Sequence, residues 1–343
     1  MLEKAQQDFS RVSVIGISDG HEASLRRLFP QIEMVATPKE LSYLGLFAQS
    51  FTHLTKDSIV LSFTVPANLI VTFWAYFSEF RYLLCFTGLG SSFLSKKIWR
   101  FLIINCFRIL FKDKTGSVVF QNESDARYFR IHHIFHEKRI HVISGSGVSG
   151  SLMINNKALT ENQTPKYDFG YVGRLIADKG IREFLDAIEL FRKNNIPIRC
   201  LIVGNVDAHN FKNNDFDIKI LLKMQEVEWV ENAEDVLPYI DQVECLVLPS
   251  YREGLSRALI EGLARRKILV ASRVPGCREL VSHGVNGFLC VPRSEKSLYD
   301  AMLRVLELDC EERLKMGDAS LDILMKLPSE EIVSESLLKL AQG

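Results

Sequence analysis

This sequence has no excess charge, no paired cysteines and almost no membrane-length apolar run. In 343 residues, 42 lysines and arginines balance 42 aspartates and glutamates, so the overall basic excess of a nucleic-acid binder is missing. The seven cysteines (Cys85, Cys106, Cys200, Cys245, Cys277, Cys290, Cys310) are odd in number, scattered and never in a CxxC pair. They read as reduced, mostly buried thiols of a cytoplasmic protein, not as a disulfide framework. The opening MLEKAQQDFSRVSVIG carries acidic residues and no long apolar stretch before a small-residue cleavage site, so it does not read as a signal peptide. Its first loop, Gly16-Ile17-Ser18-Asp19-Gly20-His21-Glu22, lacks the GxGxxG fingerprint. Asp215-Phe216-Asp217 spells a DxD but sits in a polar loop and closes no apolar strand, which argues against a metal-bound nucleotide there. His132, His133, His136 and His141 have no cysteine or acidic partner to complete a zinc set and read as a surface helix end. No metal and no cofactor are expected.

One uncharged run needs a decision. Ser58 to Ser78 is 21 residues without a charge, long enough to cross a bilayer. Pro66 and Asn68 interrupt it and its first part is β-branched, so it divides better into a buried strand, a turn and a helix beginning near Pro66.

What is present is apolar material for two cores: 47% of the residues are hydrophobic. The charge is uneven along the chain. Residues 1–150 hold 17 basic and 12 acidic residues, which leaves 25 and 30 for the remainder. A basic first half suits an anionic membrane surface or a diphosphate-linked acceptor; a solvated surface is the plainer reading.

Short β-branched runs recur between helical stretches: Val12–Ile15, Ile32–Ala36, Ile59–Phe63, Tyr82–Phe86, Ser117–Phe120 and Ile140–Ile143. After a polar, irregular stretch the alternation restarts with Phe169–Val172, Arg199–Val203, Val227–Val230, Cys245–Leu248 and Ile268–Ala271. This is the pattern of parallel sheets covered by helices. The expected architecture is α/β, with two Rossmann-like doubly wound domains facing across a cleft. Residues 1–152 form the first, abbreviated domain, 153–166 a linker and 167–325 the second domain. A C-terminal helix, 326–343, is expected to pack back on the first.

In such sheets ligands gather beyond the carboxyl ends of the strands. Phe169–Val172 ends in Gly173-Arg174, and Lys179-Gly180 follows where the next helix starts, so a guanidinium, an ammonium and a helix N-terminus suit a diphosphate. Two solvated cations at a strand–helix turn are the alternative. Cys245–Leu248 ends in Pro249-Ser250-Tyr251-Arg252-Glu253-Gly254-Leu255-Ser256, before a helix that contains Glu261. Gly254 lets the backbone approach a ligand, and the amides of Gly254 to Arg257 at a helix N-terminus suit an anion or a sugar oxygen. Glu261, on the second turn, suits a ribose diol, and Glu253, nearer the strand end, the hydroxyls of a second sugar.

These residues carry a resemblance. Gly173-Arg174 with Lys179, and Glu253 with Glu261 at E-x7-E spacing, resemble the retaining family 4 glycosyltransferases of GT-B fold. Phe86-Thr87-Gly88-Leu89-Gly90, Phe120-Gln121-Asn122-Glu123, Gly145-Ser146-Gly147-Val148, Val274-Pro275-Gly276-Cys277-Arg278-Glu279 and Gly284-Val285-Asn286-Gly287-Phe288 are similar to its bacterial polysaccharide and O-antigen branch. That branch includes N-acetylhexosaminyltransferases acting on undecaprenyl-diphosphate sugars. The resemblance implies that Arg174, Lys179 and Glu253 form the catalytic set, the two cations on the donor diphosphate and Glu253 on the donor sugar. Gly173, Gly254, Leu255, Ser256 and Glu261 would complete the donor site, with Glu261 on the ribose. Thr87, Gly88, Gly90, Gly145 and Gly147 would line the cleft. It further implies a nucleotide diphosphate sugar as donor, UDP ahead of GDP, and a hexose or N-acetylhexosamine transferred with retention to a lipid-linked glycan. The sequence departs from the family pattern at Ser149 and Arg273, each in a place usually held by aspartate, and at Ser256, in place of a common proline.

Ser92–Lys114 reads as an apolar helix on which Lys97, Arg100, Arg108 and Lys112 fall within an arc of about 120°. It either rests on anionic lipid at the cytoplasmic face or packs as an ordinary helix, apolar side inward. Two other functions share the fold: a non-catalytic partner subunit of a glycan assembly complex, and a nucleotide-sugar 2-epimerase. The second needs acid–base groups that no stretch of the sequence supplies.

Overall fold

A computed structural model describes residues 13–17, 33–37, 55–89, 97–112, 114–150, 152, 165–206 and 224–342. The chain divides into two compact units, Met1–Gly147 with Ser329–Gly343, and Val148–Pro328. Most of the expected linker lies outside the described residues.

In the first unit, strands β1 (Ser13–Ile17) and β2 (Glu33–Thr37) pair in parallel. A separate four-stranded parallel sheet follows in sequential order: β3 (Ile59–Phe63), β4 (Arg81–Phe86), β5 (Gly116–Phe120) and β6 (Ile140–Val142). The uncharged run from Ser58 resolves into β3 and helix α1 (Val65–Phe77), with Pro66 in its first turn, where a missing N–H costs nothing. No helix among the described residues is long and apolar enough to cross a membrane. Helices α2 (Lys97–Leu110) and α3 (Glu123–Ile131) complete this half of the unit, and the Asn122 side chain caps α3 by accepting from the Asp125 amide at 2.8 Å. One face of the sheet is covered by aromatic rings: Phe86 stacks on Phe120 at 4.9 Å, and Phe107, Phe129 and Phe135 close around them. The other face carries Leu83, Cys85 and Val119, against which the last helix packs Val333, Leu337 and Ala341.

The second unit holds six parallel strands: β7 (Tyr167–Val172), β8 (Cys200–Val203), β9 (Val227–Val230), β10 (Val243–Leu248), β11 (Ile268–Ser272) and β12 (Gly287–Cys290). They lie in the order β12-β11-β10-β7-β8-β9. The chain builds outward from β7 to β9, returns to place β10 on the other side of β7, and builds outward again. The reversal opens a crevice beyond the carboxyl ends of β7 and β10. Helix α4 (Ile181–Lys193) buries Ile181, Phe184, Leu185, Ile188 and Phe191, a stripe at helical spacing. The rest of the order is α5 (Leu237–Ile240), α6 (Arg257–Ala264), α7 (Glu295–Glu307), α8 (Cys310–Leu324) and, back in the first unit, α9 (Glu330–Gln342). β12 is absent from the runs expected from the sequence.

Candidate active site

Both strands beside the reversal end in the residues singled out from the sequence. β7 leads into Gly173, whose amide bonds the Val203 carbonyl at 3.0 Å, then to exposed Arg174. The Tyr171 hydroxyl, buried under this turn, donates to the Arg174 carbonyl at 2.9 Å and fixes the direction in which the chain leaves the strand. A 3-10 turn, Ala177–Lys179, and Gly180 then connect to α4. Gly180 has φ 71°, and a Cβ there would lie 2.1 Å from the Pro249 carbonyl oxygen. Only glycine lets the two strand-end loops approach so closely.

The loop after β10 is fastened to this turn. The Tyr251 amide donates to the Asp178 carbonyl at 2.8 Å. The Lys179 ammonium donates to Glu253 Oε1 at 2.6 Å, and the Ser250 hydroxyl donates to the same oxygen at 2.6 Å. The Glu253 side chain is only 10% exposed and that of Lys179 24%, so the pair is screened far less than a surface ion pair. An ammonium has three donors, which leaves Lys179 able to hold Glu253 and a phosphate oxygen together.

The same loop is also tied to the turn after β11. The amide of Glu253 bonds the Pro275 carbonyl and that of Ser256 the Gly276 carbonyl, each at 3.2 Å. The Ser256 amide, read from the sequence as open to a ligand, is thus engaged within the protein. Its hydroxyl caps α6 by accepting from the Leu259 amide at 3.3 Å. Gly276 lies at φ 81°, and a Cβ there would press on Glu253 Cβ and the Gly254 carbonyl, both at 2.6 Å. The Gly276 amide is held by Glu279 Oε2 at 2.7 Å.

Glu261 sits one turn into α6, buried, and accepts from Arg257 Nε at 3.1 Å. Burial pushes its carboxyl above the ordinary value, and the Arg257 charge only partly opposes that. Gly254 is buried and Leu255 partly buried beside it.

The structure therefore brings Lys179, Glu253 and Ser250 into one hydrogen-bonded cluster and sets Glu261 on the adjoining helix. Sequence reasoning singled out Lys179, Glu253 and Glu261 but gave no role to Ser250, Gly180 or Gly276. The signal for the glycines was their place directly after a strand or before a helix.

The first-unit residues lie apart from this cluster in kind. Thr87 and Gly145 line a cavity of about 220 Å³ at the carboxyl ends of β4 to β6, together with Gln121, Ser146, Val333 and Leu337. Gly88 follows β4, Gly147 packs against the backbone of Glu330, and Gly90 lies outside the described residues. Asp215-Phe216-Asp217 also lies outside them. His132 caps the end of α3, His133 and His136 are exposed beyond it, and His141 is in β6.

Comparison with known proteins gives this geometry its family. Residues 154–321 match the model of the glycosyl transferases group 1. The capsular polysaccharide biosynthesis glycosyltransferase CapM of Staphylococcus aureus is 23% identical over 320 residues, covering 89% of this chain and 81% of CapM. The N,N'-diacetylbacillosaminyl-diphospho-undecaprenol alpha-1,3-N-acetylgalactosaminyltransferase of Campylobacter jejuni is 25% identical over 269 residues, 74% of this chain and 68% of that protein. Among solved structures, Anabaena HepE with UDP-glucose superposes with a TM-score of 0.76 at 17% identity, over 98% of this chain and 92% of that one. The sucrose-phosphate synthase of Thermosynechococcus elongatus superposes with a TM-score of 0.72 at 16% identity, over 97% and 98%. Through residues 154–321 the chain belongs to the glycosyl transferases group 1, and it is a glycosyltransferase of GT-B fold.

Proposed function

We propose that the protein transfers a hexose or N-acetylhexosamine, with retention, from a UDP-sugar to a lipid-linked bacterial glycan. The observation that carries this reading is the Lys179–Glu253–Ser250 cluster at the reversal between β7 and β10. A sugar nucleotide in that crevice sets its diphosphate against Arg174 and Lys179, its ribose against Glu261 and its sugar against Glu253. As the sugar–phosphate bond breaks, the nucleoside diphosphate gains negative charge. Two fixed cations stabilise that charge without reorganising, and the carboxylate that shares Lys179 orients the sugar hydroxyls. Departure of the diphosphate on the face that the acceptor enters needs no protein nucleophile. Support for the acceptor class comes from the relatives, one named for capsular polysaccharide biosynthesis and one for an undecaprenol diphosphate sugar.

The same reading places the enzyme on the cytoplasmic face of an anionic membrane. On α2 the residues turned to solvent are Ile98, Trp99, Phe101, Leu102 and Ile109, each about half exposed or more. An ordinary sheet-covering helix turns such residues inward. Tyr76 and Phe77 of α1 are exposed as well, and Lys112 lies over the Tyr76 ring at 5.6 Å. Arg100, Arg108 and Lys112 supply the positive charge that anionic headgroups attract.

The experiment is a melting panel of the purified protein against UDP, GDP, UDP-N-acetylglucosamine, UDP-N-acetylgalactosamine and UDP-glucose, since a ligand of the native state raises its melting temperature. A rise with one nucleotide family, lost in Glu261→Ala and preserved in EDTA, is expected. No rise with any of them overturns the donor assignment.

A further inference from the structure

Tyr251, two residues before Glu253, makes more contacts than its place in a loop requires. Its amide is held by the Asp178 carbonyl at 2.8 Å. Its hydroxyl donates to Glu183 Oε1 at 2.5 Å, and the Arg293 guanidinium covers its ring at 4.5 Å. Three segments therefore meet on one side chain: the turn before α4, the first turn of α4 and the loop after β12.

Glu183 is the unusual partner. It is 9% exposed, and its Oε2 has no hydrogen-bond partner among the described residues. A carboxylate buried with one oxygen unpaired is a net cost to stability, and an apolar residue would pack the start of α4 with less penalty. What the carboxylate provides is a strong, charge-assisted acceptor for one hydroxyl. Burial and the Glu183 carboxylate both hold the Tyr251 phenol above its ordinary value, so it remains a donor at any physiological pH.

We infer that the Glu183–Tyr251 hydrogen bond is a positioning device for sugar transfer, which holds the loop from Pro249 to Gly254 in one register so that Glu253 meets the donor sugar in a single orientation. This rests on the reading above that Glu253 engages the donor sugar. Lys179 and Ser250 fix the Glu253 carboxylate locally, but neither fixes the loop that carries it. Tyr251 does, because it is anchored at both its backbone and its hydroxyl. Glu183 and Tyr251 are thus positioning residues, and neither needs to touch the substrate.

The test uses Tyr251→Phe, Glu183→Ala, Glu183→Gln and the double variant Tyr251→Phe/Glu183→Ala, with Glu253→Gln as control. Affinity for UDP and GDP is measured by calorimetry. Nucleoside diphosphate release is followed from UDP-glucose, UDP-N-acetylglucosamine, UDP-N-acetylgalactosamine and GDP-mannose, and amide hydrogen exchange is followed over residues 249–256. In Tyr251→Phe, nucleotide affinity stays within about twofold while release falls about tenfold or more, the scale of a lost bond to a charged group. Glu183→Gln keeps an acceptor oxygen and restores release to within about threefold, whereas the double variant is no worse than Glu183→Ala, as coupled residues require. Exchange at 249–256 speeds up in Tyr251→Phe with the rest of the second unit unchanged. Unaltered exchange there overturns the inference, as does wild-type release from Tyr251→Phe when Glu253→Gln has stopped it. Parallel loss of melting temperature, nucleotide affinity and release, without rescue by Glu183→Gln, reduces the pair to a structural role. Full release from Glu253→Gln instead sinks the assignment of Glu253, and the inference falls with it.

Discussion

The two units end their parallel sheets in opposite chemistry. Beyond the carboxyl ends of β7 and β10, the second unit gathers Lys179, Glu253, Arg257 and Glu261 in two ion pairs with half-buried or buried carboxylates. Beyond β4 to β6, the first unit opens a cavity without a charged side chain in its lining. The difference follows from what each edge must hold. A diphosphate has a fixed charge that is recognised only by opposite charges already in place, so the residue types at a donor edge are narrowly constrained. A glycan acceptor is neutral, and its recognition lies in cavity shape and a few hydroxyl contacts that many residues can supply.

Charge removal at the second unit's edge is the sharpest way to break the comparison. Arg174 is exposed and carries none of the core, so Arg174→Ala is expected to melt like the parent. Its turnover should fall by about 10²–10³, the scale for losing one preorganised donor to a developing anion. Turnover within about threefold of the parent would remove Arg174 from the diphosphate. The counterpart in the first unit is Trp99→Glu/Phe101→Glu, two exposed positions on α2. Flotation with phosphatidylglycerol vesicles should drop about a hundredfold, since burying each ring in lipid contributes about 1.5–3 kcal/mol. Nucleotide affinity should not change. Unaltered flotation would return α2 to being an ordinary helix.

How far each unit could be read in advance follows the same division. β10 and β11 were legible because parallel strands covered on both faces are nearly continuous apolar runs, and all five residues of Ile268–Ser272 are buried. β12 was not, because Gly-Phe-Leu-Cys is four residues long and opens on a glycine, too little for a period. Arg174, Lys179, Glu253 and Glu261 were found because each follows a strand end or the start of the helix beyond it. The Tyr251–Glu183 bond spans 68 residues and leaves no local trace. The outward face of α2 was equally hidden. Ile104 and Phe107 on its buried side are as apolar as Ile98 and Ile109 on its exposed side, so the pattern alone does not say which way the helix turns.

The backbone contact that joins the two strand-end loops gives a smaller and more local effect. Gly180→Ala forces a side chain into the left-handed region at φ 71° and drives it against the Pro249 carbonyl. The cost is about 2 kcal/mol. For a unit of this size that is a drop of about 4–8 °C in melting. Only the transition of the second unit should move, while the first unit keeps its own. A single shared transition that falls as a whole would mean that the two units do not unfold independently.

Glu261 separates ligand binding from stability, and the two should move in opposite directions. Burial raises its carboxyl in the folded protein above the ordinary value. An acid raised on folding contributes stability below its unfolded value and loses that contribution as pH rises through the folded value. At neutral pH the unliganded protein therefore carries the cost of a buried charge, only partly offset by Arg257. Glu261→Gln removes that cost, so the unliganded variant should melt above the parent at about pH 7–8, with the difference closing as pH falls towards about 4. A carboxylate accepts from both hydroxyls of a ribose where an amide oxygen offers less, so nucleotide affinity should fall about tenfold. Measured with uridine, which brings no titrating phosphate, the ratio of parent to variant affinity should shrink on acidification as Glu261 gains its proton. A ratio that stays constant from neutral pH to the acid limit would mean that the Glu261 charge does not hold the ribose. A variant less stable than the parent at neutral pH would mean that the bond to Arg257 outweighs the burial of the charge.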